Sequence, residues 1–222
     1  MASLYNQRTA FERQVLAALG TLLRGSPWKK SKCAIFGKFG DYYQDVMISV
    51  HRNSERTTAT LRSKPMAVDP ILWDILGMPE NQSEPLSFRT WSAFTCSGLP
   101  LVESELEVRG QTPEDVAANA FEFVVSNRTL LEERLKLASY SDLLGSHPNQ
   151  IARGAYAVTL VASLIHETNE QEARRLASGY ASGSLMSCTE FSSAGLSFHE
   201  HALRWLDAGH QSKSALLMAS RT

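Results

Sequence analysis

The chain has 222 residues, with 22 Lys and Arg against 23 Asp and Glu, a hydrophobic fraction of 43% and 20% charged residues. This is the composition of an ordinary globular protein with enough apolar content for a core, and three well-separated cysteines, Cys33, Cys96 and Cys188, argue against a disulfide framework or a zinc knuckle. No stretch nears the ~18–20 uninterrupted apolar residues that would cross a bilayer, so neither a signal peptide nor a membrane anchor is expected, and a reducing, cytoplasmic location is.

Phe11, Val15, Leu16, Leu19, Leu22 and Leu23 recur at helical spacing and Gly25 follows as a stop, which predicts an amphipathic first helix. After Ser26-Pro27 the period changes to two. Cys33–Phe36 is apolar, Gly40-Asp41 is a turn signal, and Val46, Ile48 and Val50 alternate with Asp45, Met47, Ser49 and His51, which predicts a β-hairpin. Arg56–Leu61, with three threonines, has the β-branched content of a third strand. Asp69-Pro70 opens a short helix closed by Gly77 and Pro79, and residues 80–85 read as a loop. Leu86–Cys96 reads as a fourth strand. Val102, Ser104, Leu106 and Val108 then face one way and Glu103, Glu105, Glu107 and Arg109 the other, so one face of this fifth strand is expected to be wet.

From Thr112 the helical period returns. Thr112 has the character of an N-cap, Pro113 suits the first helical position, and Glu114 and Asp115 lie beside the N-terminal dipole of a helix expected to reach about Ala138. His147-Pro148 opens an alanine-rich helix running through Ile165 that is expected to be largely buried. Thr168 with Gln171, and Ser197 with Glu200, have capping-box spacing, so helices are predicted near Asn169 and Phe198. Ser178–Gly195 is dense in serine and glycine and reads as a loop. The order predicts an α+β fold, with an antiparallel sheet of about five strands packed against an N-terminal helix and a C-terminal group of about four helices. Residues 1–110 form the helix-and-sheet region, 111–210 the helical region of the same compact domain, and 211–222 a tail.

Charge is unevenly spread. Residues 1–66 hold 11 Lys/Arg and 4 Asp/Glu, whereas residues 67–150 hold 5 and 13, and residues 151–222 hold 6 of each. Lys29, Lys30, Lys32 and Lys38 fit the lysine-guarded edge of a sheet, and nucleic acid is not expected as a partner. The middle segment is acidic and contains the Glu103, Glu105, Glu107 row, a surface that a basic partner could read.

No catalytic, cofactor or metal motif emerges. His199 and His201 flank Glu200, but the zincin pattern needs histidines four apart, and positions i and i+2 on a helix point about 200° apart. Gly179-Tyr180-Ala181-Ser182-Gly183 lacks the serine position and preceding strand of a nucleophile elbow, and Gly37-Lys38-Phe39-Gly40 reads as a hairpin turn rather than a phosphate loop. Trp73, Trp91 and Trp205 are expected in the core. Tyr42 and Tyr43 are adjacent on a strand and point to opposite faces, so at least one is expected to be exposed or covered by another element.

Val15–Arg24, the lysine-rich Lys29-Lys30-Ser31-Lys32, the strand-turn-strand through Tyr42–His51, Thr57–Arg62 and Trp73 together resemble a bacterial domain family of unknown function whose members often accompany polymorphic toxins. The resemblance covers about the first 110 residues and not the helical half. It implies an immunity-type interaction protein that binds a cognate toxin or effector and blocks its active site. The expected function is accordingly a non-catalytic, cytoplasmic binding protein, monomeric or homodimeric, with Glu103, Glu105, Glu107, Tyr42 and Tyr43 as partner-binding residues and no cofactor. The alternative is a hydrolase-like enzyme with a cleft between sheet and helices, drawing on His51, Glu190, His199 and His201.

Overall fold

A computed structural model describes residues 4–31, 34–50, 56–91, 94–107, 110–152, 155–186 and 191–208. In chain order the elements are α1 (Leu4–Leu22), β1 (Lys29–Lys30), β2 (Ala34–Phe39), β3 (Tyr42–Val50), β4 (Arg56–Pro65), α2 (Val68–Ile75), a 3-10 turn (Pro79–Ser83), α3 (Phe88–Trp91), β5 (Leu99–Glu107), α4 (Pro113–Leu137), α5 (Tyr140–Gly145), α6 (Pro148–Ile151), α7 (Tyr156–His166), α8 (Glu170–Ala181), β6 (Ser192–Ser193), β7 (Leu196–Ser197) and α9 (Phe198–Ala208). The fold is α+β. Strands β1 to β5 form one antiparallel sheet in sequence order. Two compact units are distinguished: residues 1–66, 85–91 and 98–139 make the first, and residues 67–84, 92–97 and 140–222 the second.

In the first unit, β2 and β3 close through Gly40-Asp41, with Phe39 opposite Tyr42. Gly40 has φ +57, the positive φ that a II′ hairpin turn requires at its first loop position. One sheet face carries Val46, Ile48, Ala59, Leu61 and Leu106, all buried, and α1 and α4 pack on it. Helix α1 contributes Val15, Leu16 and Leu19, with Leu23 buried just after its end, while Leu22 of the expected stripe is 42% exposed. Helix α4 contributes Val116, Ala120, Phe123, Val124, Leu131 and Leu135, spaced three and four apart as one helical face demands. Its start is a capping box. The Thr112 hydroxyl accepts from the Asp115 N–H, and the Asp115 carboxylate accepts from the Thr112 N–H. This helix belongs to the same unit as the sheet, on both sides of residue 110.

The sheet has the expected number of strands but not the expected members. Leu86–Cys96 is not a strand: Phe88–Trp91 is a short helix, and the described residues that follow up to Ser97 are irregular. The apolar residues Phe88 and Trp91 are three apart, a helical rather than a strand spacing. Beyond them, the backbone finds side-chain partners in place of a ladder. The Cys96 N–H donates to Asp69 Oδ1 (2.8 Å), the Phe94 carbonyl accepts from Trp73 Nε1 (2.7 Å), and the Ser97 N–H donates to Thr159 Oγ1 (2.9 Å). The fifth place in the sheet is taken by β1, where exposed Lys29 and Lys30 pair with Phe36 and Ile35. Lysines on a two-residue edge strand discourage further strand addition.

The second unit is built around α7, in which every residue from Ala157 to Ile165 is buried. A helix apolar on all sides must be surrounded, and α2, α5 and α8 pack against it, with α9 packed on α8 and α2. Thr159 and Ser163 remain dry inside it because their hydroxyls bond to the carbonyls of Ala155 and Thr159. The helix expected from Pro148 to Ile165 is broken into α6 and α7. Trp73 is 1% exposed, Trp205 is half-buried with Nε1 donating to Asp74 Oδ2 (2.7 Å), and the Trp91 side chain lies outside the described residues, as does Cys33. Cys96 is buried, but in the irregular segment rather than on a strand.

Two of the later helix starts sharpen the expectation. Asn169, not Thr168, caps α8, accepting from the Glu172 N–H, and Thr168 takes φ +61 just before it. Ser197 and Glu200 form the expected capping box of α9, with the Ser197 N–H donating to Glu200 Oε2 (2.8 Å) and the Glu200 N–H to the Ser197 hydroxyl (3.3 Å). The serine-glycine stretch is not loop throughout: α8 runs into it as far as Ala181, and at its end β6 and the following β7 make a small hairpin whose loop residues Ala194 and Gly195 both have positive φ, the requirement of a I′ turn. No helix among the described residues is long and apolar enough to cross a membrane.

Candidate partner-binding surface

Strand β5 pairs with β4 alone in the sheet, so it forms the edge opposite β1. Alternation puts Leu106 on the buried face and Glu103 and Glu105 on the other, where both are exposed. Glu103 stands opposite Thr60 and Glu105 opposite Thr58. The Thr60 hydroxyl donates to Glu103 Oε2 at 3.1 Å. On β3, half-buried Met47 and Ser49 continue this patch opposite Thr60 and Thr58. Glu107 is in register with Arg56, its side chain lying outside the described residues. The result is a polar quarter of sheet, acidic along its edge strand, with α4 held to that strand by Arg134, which donates to the Leu101 carbonyl (2.6 Å).

The other end of the same face is dry. Tyr43, expected at a partner surface, is fully buried and therefore withdrawn from it. Its hydroxyl hydrogen-bonds with that of Thr90, its ring stacks on Phe36 (6.2 Å between centroids), and Lys64 Nζ lies 5.4 Å from its centroid. Lys64, 1% exposed, donates to the Arg89 carbonyl (3.0 Å). Next along β3, Asp45 is 2% exposed and accepts from Arg62 Nε at 2.6 Å. Burial pushes the Asp45 carboxyl above its ordinary pKa, while Arg62 and then Lys64 pull it back. Alternation alone sets Asp45 on the face opposite Val46 and Ile48 without saying what covers it. The covering comes in part from residues 85–91, which supply Thr90 and Arg89. One sign of the ion pair was available in advance, since hairpin register makes Asp45 and Arg62 direct cross-strand partners of opposite charge. Tyr42 points the other way, is half-buried and lines a cleft of about 340 Å³ with Phe39, Gln44, Glu132 and Leu135.

Of the residues considered for catalysis, the two described ones, His199 and His201, have separate surroundings. His199 is 2% exposed, stacked on Tyr180 (4.6 Å) and edge-on to Phe198, with neither ring nitrogen hydrogen-bonded. Burial lowers its pKa to about 4, so it is neutral at neutral pH. His201 Nε2 instead bonds to the Ser193 carbonyl (2.8 Å), and Glu200 is engaged with Ser197. His51 and Glu190 lie outside the described residues. Among the described residues, no group of three or more His, Cys, Asp or Glu is placed to hold a metal ion. A cleft of about 410 Å³ in the second unit is bordered by Asp142, Leu160, Asn169 and the Glu172–Arg175 ion pair (2.6 Å), and contains neither histidine. Comparison with family models, curated protein sequences and solved structures gave no match for this chain.

Proposed function

We propose that this chain is a non-catalytic binding protein of the immunity type, which engages a basic protein effector through the acidic edge of its sheet and neutralises it. The observation that carries this reading is the pair of exposed carboxylates, Glu103 and Glu105, two residues apart on a nine-residue edge strand and backed by Thr58 and Thr60. Carboxylates held in line on a rigid strand set up a local negative field that speeds encounter with a positive partner and penalises an acidic one. The family resemblance of the first 110 residues and the acidic balance of residues 67–150 point the same way. A cytoplasmic location and a monomeric or homodimeric state belong to the same proposal.

The test is co-expression with the product of the neighbouring gene, followed by affinity isolation and a growth assay. The expected result is a stoichiometric complex, and suppression by this chain of the toxicity that its neighbour shows alone. A neighbour that is harmless, or that stays toxic in the presence of folded protein, would contradict the immunity reading.

A further inference from the structure

We propose that the cleft between the β2–β3 hairpin and the last turns of α4 binds a small, neutral, planar heterocycle with a lactam edge, held by the carboxamide of Gln44. Gln44 is 1% exposed, and neither its Oε1 nor its Nε2 has a hydrogen-bond partner. It shares its sheet face with Val46 and Ile48, so the carboxamide is dry on the core side, and it lines the cleft on the other. An unpaired buried amide costs ~1–3 kcal/mol per group, which is why such groups are rare in folded proteins and call for a reason.

The cleft supplies the reason. Its volume of about 340 Å³ is at the small end of the range for small-molecule sites, ~300–1,000 Å³. Phe39, Tyr42 and Leu135 give it an apolar lining. Charge at the rim is of both signs, with Asp41 and Glu132 against Lys136, so no single charge selects an ion. Arg128 is engaged, donating to Glu132 Oε1 (2.9 Å) while its guanidinium lies 4.7 Å from the Phe39 centroid. What remains for recognition is the carboxamide, with one acceptor and one donor side by side in a plane. A lactam presents the complementary pair, C=O beside N–H, and two parallel hydrogen bonds satisfy both. The terminal torsion of glutamine is broad and roughly twofold, so the amide plane turns about Cγ–Cδ to align its donor and acceptor with the plane of a ligand.

The experiment is an NMR titration of the ¹⁵N-labelled chain with the bicyclic lactam isocarbostyril, repeated with N-methylisocarbostyril and with the Gln44→Met variant. The expected result is saturable binding that moves the Gln44 side-chain amide resonances, at least about tenfold weaker for the N-methyl compound and for the variant. Gln44→Met keeps the shape of the side chain and removes the unpaired polar atoms, so it should be no less stable than wild type. Equal affinity of the two compounds, equal affinity of variant and wild type, or no saturable binding of the lactam up to its solubility limit would overturn the proposal. The N-methyl comparison decides even if the variant does not fold.

Discussion

The two ends of one sheet face hold charge in opposite ways. At the edge, Glu103 and Glu105 stand in solvent, and Glu103 accepts one threonine hydroxyl; near the β2–β3 turn, Asp45, Arg62 and Lys64 lie largely beneath other residues with Tyr43. Both ends follow the same alternation along β3 and β4, while the register of β5 against β4 shifts between Leu61 and Arg62. The difference lies in what covers them, and α3 contributes a hydroxyl and a carbonyl only at the turn end. A charge that keeps its water costs little and remains available to a partner. A charge that loses it must be paired, and then serves the fold.

Breaking the buried end should give the largest effect. Arg62→Met leaves the Asp45 carboxylate dry and without its 2.6 Å partner, which should cost about 3–4 kcal/mol in urea unfolding at pH 8. Because burial already raises the Asp45 pKa, and loss of Arg62 raises it further, the deficit should shrink as the pH falls and the carboxyl becomes neutral. A loss that does not vary with pH would place the role of Arg62 in packing instead.

The second unit repeats the contrast in two histidines of α9, one buried without a partner and one bonded to a carbonyl. His199 has a folded-state pKa of about 4 against an ordinary value of 6.5, so the unfolded chain binds the extra proton between those values. Its contribution is fully present above pH 6.5 and is lost as the pH falls towards 4, by about 3 kcal/mol in all. His199→Leu should flatten that part of the stability curve. An unchanged acid slope in the variant would mean that other groups cause it.

Thr112→Ala removes one half of the α4 capping box and should cost about 1 kcal/mol, read as a lower denaturant midpoint with unchanged slope. The smallest effect belongs to the wet end of the sheet. Glu103→Gln with Glu105→Gln should change stability by less than about 0.5 kcal/mol, since substitutions of exposed surface charges seldom do more. A larger loss would mean that the acidic edge supports the fold as the buried end does.

What could be read in advance divides along the same line. The α1 stripe, the Gly40-Asp41 hairpin, the Thr112 cap, the Ser197–Glu200 box and the outward glutamates are all set within a few residues of chain, by period or by local hydrogen bonds. The segment expected as a strand, Leu86–Cys96, and the Ser97 that follows it are held by Asp69, Trp73 and Thr159, from 21 to 62 residues away. No local pattern encodes those partners. Burial of Tyr43 and Asp45 likewise depends on Thr90 and its neighbours arriving over one end of the face, which alternation cannot report. Gln44 carries no local signal, because a single glutamine near a hairpin turn suits a solvated position, and its burial is a property of the packed structure.

The acidic edge of the sheet is the proposed surface for a basic partner. Its most direct measurement is the association rate of the co-purified partner with wild type and with the Glu103→Lys, Glu105→Lys, Glu107→Lys triple variant, at low and high salt. The predicted result is an unchanged fold by circular dichroism, a rate at least about tenfold lower for the variant at low salt, and convergence of the two rates as salt screens the field. Equal rates at both salt concentrations would contradict it.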